Sequence, residues 1–161
     1  MNELERRARE LFLRDDNVYG CAETTLVALQ EHFGLPDPGD SSAAMALNGG
    51  IAYSGGACGA ITGAALALGR LAGERVADHN EAKRVARRLT QGLMVAFEEE
   101  FGSSRCRDLT GYDMLADHDA FLASDVWRTS CMQQIAYAVE RVARLADPAV
   151  WQAEAEPLRA P

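Results

Sequence analysis

Apolar residues recur at helical spacing along most of the chain. Leu4, Ala8, Leu11 and Phe12 share one face of a helix predicted from Glu3 to about Arg14, and Asp15-Asp16-Asn17 ends it. A second helix begins near Cys21 with Ala22, Leu26, Leu29 and Phe33 as its stripe, and Gly34 with Pro36 stops it. Pro36 to Asp40 is a connection, after which Ser41 or Ser42 can cap a short helix from Ala43 to Leu47, ended by Asn48-Gly49-Gly50. Ile51 to Ser54 is too short for a strand. An apolar helix then starts at Cys58 and runs to about Gly73, with Ile61, Ala65, Leu68 and Ala72 in line. The longest predicted rod follows from about His79 to Phe101, where Val85, Ala86, Leu89, Leu93, Phe97 and Phe101 lie about a turn apart. Gly102-Ser103-Ser104 stops it, and a short helical turn carries Cys106. Thr110 to Ser124 is mixed and polar, an irregular stretch with room for one short helix.

The last main helix is predicted from about Asp125 to Ala146, with Cys131, Ile135, Ala138, Val142 and Leu145 facing inward. Pro148 ends it and divides a helical domain over residues 1–147 from a short tail over 148–161, in which Ala149 to Glu156 forms one exposed helix before Pro157. No run alternates at period two for long enough to be a strand. The expected architecture is therefore all-α: a single-domain helical bundle of about five main helices with short helical connectors.

The glycine-rich turn Gly55-Gly56-Ala57 delivers Cys58 to the start of its helix. Unpaired backbone N–H groups and the positive end of the helix dipole favour an anion there, so the Cys58 thiol is expected to have a lowered pKa. Cys58 shares the core-facing stripe of its helix. Gly59 and Gly63, four apart beside Ala60 and Ala64, strip bulk from one face and let another helix approach closely. A tightly packed core helix with a small buried thiol is the plainer reading of the same residues.

Composition narrows the function. The net charge of −8 over 161 residues lacks the basic patches that nucleic acid requires, and Arg84, Arg87 and Arg88 read as a solvated helix face. The first residues are charged without an apolar signal core, and no run reaches the length of a membrane span, so the expected location is the cytoplasm. In that compartment four cysteines point to redox chemistry or metal ligation rather than to permanent disulfides.

Cys21, Cys58, Cys106 and Cys131 lie 37, 48 and 25 residues apart, with no C-x-x-C pair. Cys21, Cys58 and Cys106 are predicted at helix starts, and Cys58 and Cys131 on core-facing stripes. If they converge between helices, four thiolates suit an iron–sulfur cluster for electron transfer. If only pairs meet, they form a reversible dithiol with Cys58 as attacking thiolate. A closed tetrahedral zinc site is the third arrangement, and four unrelated buried cysteines the fourth.

The other candidates are weaker. His32, His79 and His118 lie far apart and read as surface residues, although one could replace a cysteine ligand. Glu98-Glu99-Glu100 points in different directions round a helix. Gly55-Gly56 lacks the strand and Lys-Ser/Thr of a phosphate loop. Trp127 and Trp151 read as packing residues, with burial of Trp151 against a second subunit in a homodimer as the alternative for the tail.

Four segments together resemble a known family: Asn17 to Ala22 with Cys21, Gly55 to Ala60 with Cys58 and Gly63, Phe101-Gly102-Ser103 with Cys106 and Leu109, and Cys131. They look like the redox-active proteins named for a C-G-C-A-x-x-G-C-C cysteine pattern, over about residues 15 to 145. The specific part is Cys58 to Gly63. The resemblance implies a mainly helical domain in which Cys21, Cys58, Cys106 and Cys131 carry the function, with Gly59 beside them. That family is in turn similar to a domain of split-Soret cytochromes, which points toward an iron–sulfur centre. The sequence has no C-x-x-C-H motif, so covalent haem is not implied. The resemblance names neither a substrate nor the protein that exchanges electrons with the centre.

Overall fold

Hydrophobic stripes at helical spacing need other helices to cover them, and the computed structural model, which describes residues 1–156, shows how they are covered. The main helices are α1 (Glu3–Phe12), α2 (Cys21–Phe33), α3 (Gly59–Arg75), α4 (His79–Phe101) and α7 (Met132–Ala143). Shorter ones are α5 (Cys106–Thr110), α6 (His118–Ala123) and α8 (Pro148–Ala155). The described residues contain no strand, only one isolated antiparallel bridge between Ala57 and Arg105. None of their helices is long and apolar enough to cross a membrane.

Helix α3 lies between α2 and α4, α7 packs across α2 and α3, and α1 covers α2 and α7. This position explains a difference from the expected single stripe on α3. Ile61, Leu68 and Ala72 are buried as the spacing predicts, but Ala65 is half-buried, while Ala60, Ala64, Ala67 and Leu71 are also buried. A helix with neighbours on several sides needs small residues on more than one face. At Gly63 an added Cβ would run into the main-chain oxygen of Ala22 and lie 3.0 Å from Thr25 Cβ. The glycine thus lets α3 rest directly on the backbone of α2, the close approach that the Gly59/Gly63 spacing suggests.

Phe97, Leu26, Leu29, Leu68, Met132 and Ile135 are the large, fully buried side chains of the shared core. Each contributes roughly 1.5–3 kcal/mol by leaving water. Helix α4 is one-sided: Ala82, Val85, Leu89, Leu93 and Phe97 are buried, and Glu98, Glu99 and Glu100 are exposed. Asp78 caps its start by accepting from the Glu81 N–H at 2.9 Å, and Gly102 ends it in a left-handed conformation with φ +81°.

Three further expectations are corrected. The segment after Leu35 forms only a 3-10 turn, Ser42–Ala44, rather than a helix to Leu47. The stretch expected as one helix from Asp125 to Ala146 begins with a π-helical turn over Trp127–Cys131 and ends in a 3-10 turn over Arg144–Ala146. The tail helix is not fully exposed. Ala155 is buried, α8 packs on α4, and the Arg75 guanidinium lies 4.5 Å from the centre of the Trp151 ring. Trp151 thus meets its own chain, as expected of a packing residue. The end of the tail, including Pro157, lies outside the described residues.

Candidate functional site

The cysteine-bearing side of the bundle is built from backbone that is not helical in the ordinary sense. Gly49, Gly50, Ile51, Ala52 and Tyr53 have φ of +65°, +73°, +68°, +49° and +62°, a run of five left-handed residues. Glycine adopts this conformation freely, but Ile51, Ala52 and Tyr53 each cost on the order of 1–3 kcal/mol, most for β-branched Ile51. Main-chain hydrogen bonds hold the run: Ala52 N–H donates to Ala46 O at 2.7 Å, and Gly56 N–H to Gly50 O at 2.8 Å. At Gly50 a Cβ would lie 2.7 Å from Cys106 Cβ, so glycine is needed for space as well as for φ.

The loop then joins the segment before α5. Cys58 N–H donates to Ser104 O at 2.8 Å, Cys106 N–H to Gly56 O at 2.7 Å and Arg107 N–H to Gly55 O at 3.1 Å. Cys58 and Cys106 therefore flank the Ala57–Arg105 bridge, two loops fastened side by side. Cys58 is the N-cap of α3 and Cys106 the first residue of α5. Cys21 is the first residue of α2, and Cys131 closes the π-helical turn, its N–H donating to Val126 O at 3.1 Å.

Glu23 fastens the loop to α2. Buried at 8 % exposure, its carboxylate accepts from the Gly20 N–H at 3.3 Å, the Ser41 hydroxyl at 2.9 Å and Asn48 Nδ2 at 2.9 Å. Asn48 Oδ1 in turn accepts from the Ala22 N–H at 3.0 Å and lies 4.0 Å from Cys21 Sγ. Sequence reasoning missed Glu23 and Asn48. Gly20 followed by Glu23 is half of a capping box, the one local signal for the first; the second acts across 25 residues and left none.

Cys21, Cys106 and Cys131 line one cavity of about 430 Å³, together with Asn48, Tyr53, Met114, His118, Phe121 and Trp127. Cys58 lies behind it, 5 % exposed, with its Sγ 3.8 Å from Gln134 Oε1 of α7. Gly59, expected beside a cofactor, serves as space: a Cβ there would run into Cys21 Sγ. Its absence lets the Cys21 sulfur rest against the start of α3, next to Cys58. His118, expected on the surface, is half-buried in the cavity wall, and its Nδ1 is buried without a hydrogen-bond partner.

The expectation of a lowered Cys58 pKa is overturned. Burial pushes its thiol up, and the neighbouring Cys21 and Cys106 add to the rise. The N–H groups of Ala60 and Ile61 at the helix start do act in the lowering direction, as the dipole argument predicts, but desolvation outweighs them. Burial likewise raises Cys21, raises Cys131 with further repulsion from the other three, and pushes Cys106 up to about 11, with Cys21 contributing. Cys21 thus bears on each of the other three. All four are free, and no group of three or more His, Cys, Asp or Glu among the described residues is arranged to hold a metal ion. The structure brings the cysteines to one side of the bundle without gathering three of them around a single point.

No curated protein and no solved structure matches the chain. The model of one family does, over residues 19–145, a span containing all four cysteines, the left-handed loop and the helices α2 to α7. With that match over most of its length, the chain belongs to the family described as "Putative redox-active protein (C_GCAxxG_C_C)".

Proposed function

We propose that Cys21, Cys58, Cys106 and Cys131 form one redox centre and that this centre is an iron–sulfur cluster used in electron transfer. The observation that carries the reading is the placing of Cys21, Cys106 and Cys131 on one cavity, with the Cys21 sulfur against the helix start that carries Cys58, where burial keeps all four thiols protonated. Such a set gains by ionising only against a cationic centre, and thiolates are the ligands iron–sulfur clusters take. A closed zinc site fits less well, because four ligands must surround one ion and no three do so among the described residues. The ligands of a cluster are shared among several irons and stand further apart. The test is iron and acid-labile sulfide content, with a visible spectrum, on protein purified without oxygen. The expected result is iron with sulfide and a brown chromophore, lost in Cys58→Ser. A colourless, iron-free protein overturns the reading, and so does a Cys58→Ser variant with undiminished iron and sulfide.

A second reading has one observation in its favour, the Cys21 sulfur resting against the helix start that carries Cys58. On that reading the two thiols close to a disulfide, releasing two electrons and two protons to an acceptor disulfide. It requires a thiol that alkylates quickly near neutral pH in the metal-free protein, against the raised pKa of both.

A further inference from the structure

The cavity lined by Cys21, Cys106 and Cys131 has features that a buried relay for electrons does not need. Its volume of about 430 Å³ lies within roughly the 300–1,000 Å³ of sites that take small organic molecules. One wall is aromatic. The Tyr53 and His118 rings have centroids 4.9 Å apart, those of His118 and Phe121 6.5 Å, and Trp127 stands edge-on to Phe12 at 5.8 Å. Val18 and Met45, 52 % and 64 % exposed, line the same cavity, which leaves apolar surface in contact with water. Within this wall the His118 ring makes no hydrogen bond: its Nδ1 is closed off without a partner, which leaves Nε2 as the nitrogen that a bound molecule can meet. The lining includes no lysine or arginine, and its one carboxylate, Glu23, is already engaged with Gly20, Ser41 and Asn48.

We propose that this cavity is the binding site of a small, uncharged aromatic molecule bearing a carbonyl or hydroxyl oxygen, packed against Tyr53, His118 and Phe121 and hydrogen-bonded to His118. An aromatic wall rewards an aromatic ring, the His118 nitrogen that is not closed off rewards one oxygen, and the absence of basic residues selects against phosphate, sulfonate or carboxylate groups. That the bound molecule is a redox substrate rests on the proposed function above. The strained run Gly49–Tyr53 sets the position of Tyr53, which gives the left-handed backbone a reason to be kept.

The test uses 2-naphthol, which is uncharged at neutral pH and neither alkylates nor oxidises thiols, titrated calorimetrically into the full-length protein. Saturable one-to-one binding is expected, weakened about tenfold in His118→Phe, which keeps a ring and removes the nitrogens. Tyr53→Ala, at a 43 % exposed position, is the second variant and is expected to weaken binding as well. Naphthalene-2-sulfonate, the same ring with a charge, is expected not to bind. The proposal is overturned if 2-naphthol shows no saturable binding, if the sulfonate binds equally well, or if neither variant weakens the affinity. Iron and sulfide are measured on the same sample, so naphthol binding to an iron-free protein separates failure of the cluster from failure of the site.

Discussion

Around Phe97 and Leu68 the protein is regular helix, with each buried side chain answering another at helical spacing, whereas around Cys106 it is loop stitched to loop by main-chain hydrogen bonds. The first region gains its stability from apolar area. The second spends some of that stability, because three non-glycine residues in succession hold left-handed backbone beside thiols that resist ionisation. Strain of this kind persists where surrounding structure over-determines it, which is also where sites with chemistry tend to lie. The π-helical turn ending at Cys131 belongs to the same region, and such turns are frequent at functional sites.

The difference can be broken most forcefully from the bundle side. Phe97→Ala removes a fully buried ring that meets Phe101 and Tyr137 at 4.7 Å and 6.1 Å, and is expected to cost about 3–5 kcal/mol in urea unfolding. Thiol alkylation rates in the still-folded fraction are expected to stay as they were. A cost below about 1 kcal/mol, or fast alkylation of the folded protein, would mean that the two regions are not separable.

Gly50→Ala attacks the other region. The new Cβ meets Gly56 N and Cys106 Cβ, and the backbone there has φ +73°, so a loss of about 1–3 kcal/mol is expected. The effect is local. Amide exchange at Gly56, Cys106 and Arg107 is expected to accelerate more than exchange in the middle of α3 or α4, because those three N–H groups close the joined loops. Uniform acceleration across the molecule would instead make the loop an ordinary part of the core.

The two regions were also unequally legible in the sequence. Stripes such as Ala22, Leu26, Leu29 or Val85, Leu89, Leu93, Phe97 located α2 and α4 because a bundle repeats its contacts at helical spacing. The glycines at 59 and 63 announced a close helix approach, since no other residue type leaves that space. Asn48, Glu23 and the left-handed run had no such periodicity, being set by bonds between distant segments. Cys58 shows the limit of a local rule. Its place at a helix start was legible, but the sign of its pKa shift depended on burial, to which α7 contributes, and on two other cysteines, Cys21 and Cys106, which no single stretch reveals.

Next in size is the response to alkali. Cys106 in the folded, metal-free protein is pushed from 9.0 up to about 11, so it keeps its proton where the unfolded chain has lost its own. The folded state therefore holds more protons between those values. Stability is fully present below about pH 9 and falls as pH rises toward about 11. Urea midpoints measured from pH 7 upward on reduced, metal-free protein are expected to fall over that window, and less steeply in Cys106→Ala. Parallel curves for the two proteins would remove Cys106 from the account.

The smallest expected effect lies where the two regions touch. Gln134 belongs to the bundle helix α7, is 4 % exposed, and offers its Oε1 to Cys58 Sγ at 3.8 Å. A thiol is a weak donor, so taking its acceptor away leaves little unsatisfied, and leucine occupies a similar volume. Gln134→Leu is accordingly expected to change stability by less than about 1 kcal/mol. Its value is diagnostic. If burial keeps Cys58 protonated and inert, the variant alkylates at Cys58 as slowly near neutral pH as the parent, because an apolar neighbour desolvates the thiolate at least as strongly. If the glutamine bond were instead the restraint, Cys58 in the folded variant would react quickly, and the helix-start N–H groups of Ala60 and Ile61 would prove strong enough to set its charge once the side chain across from it is silent.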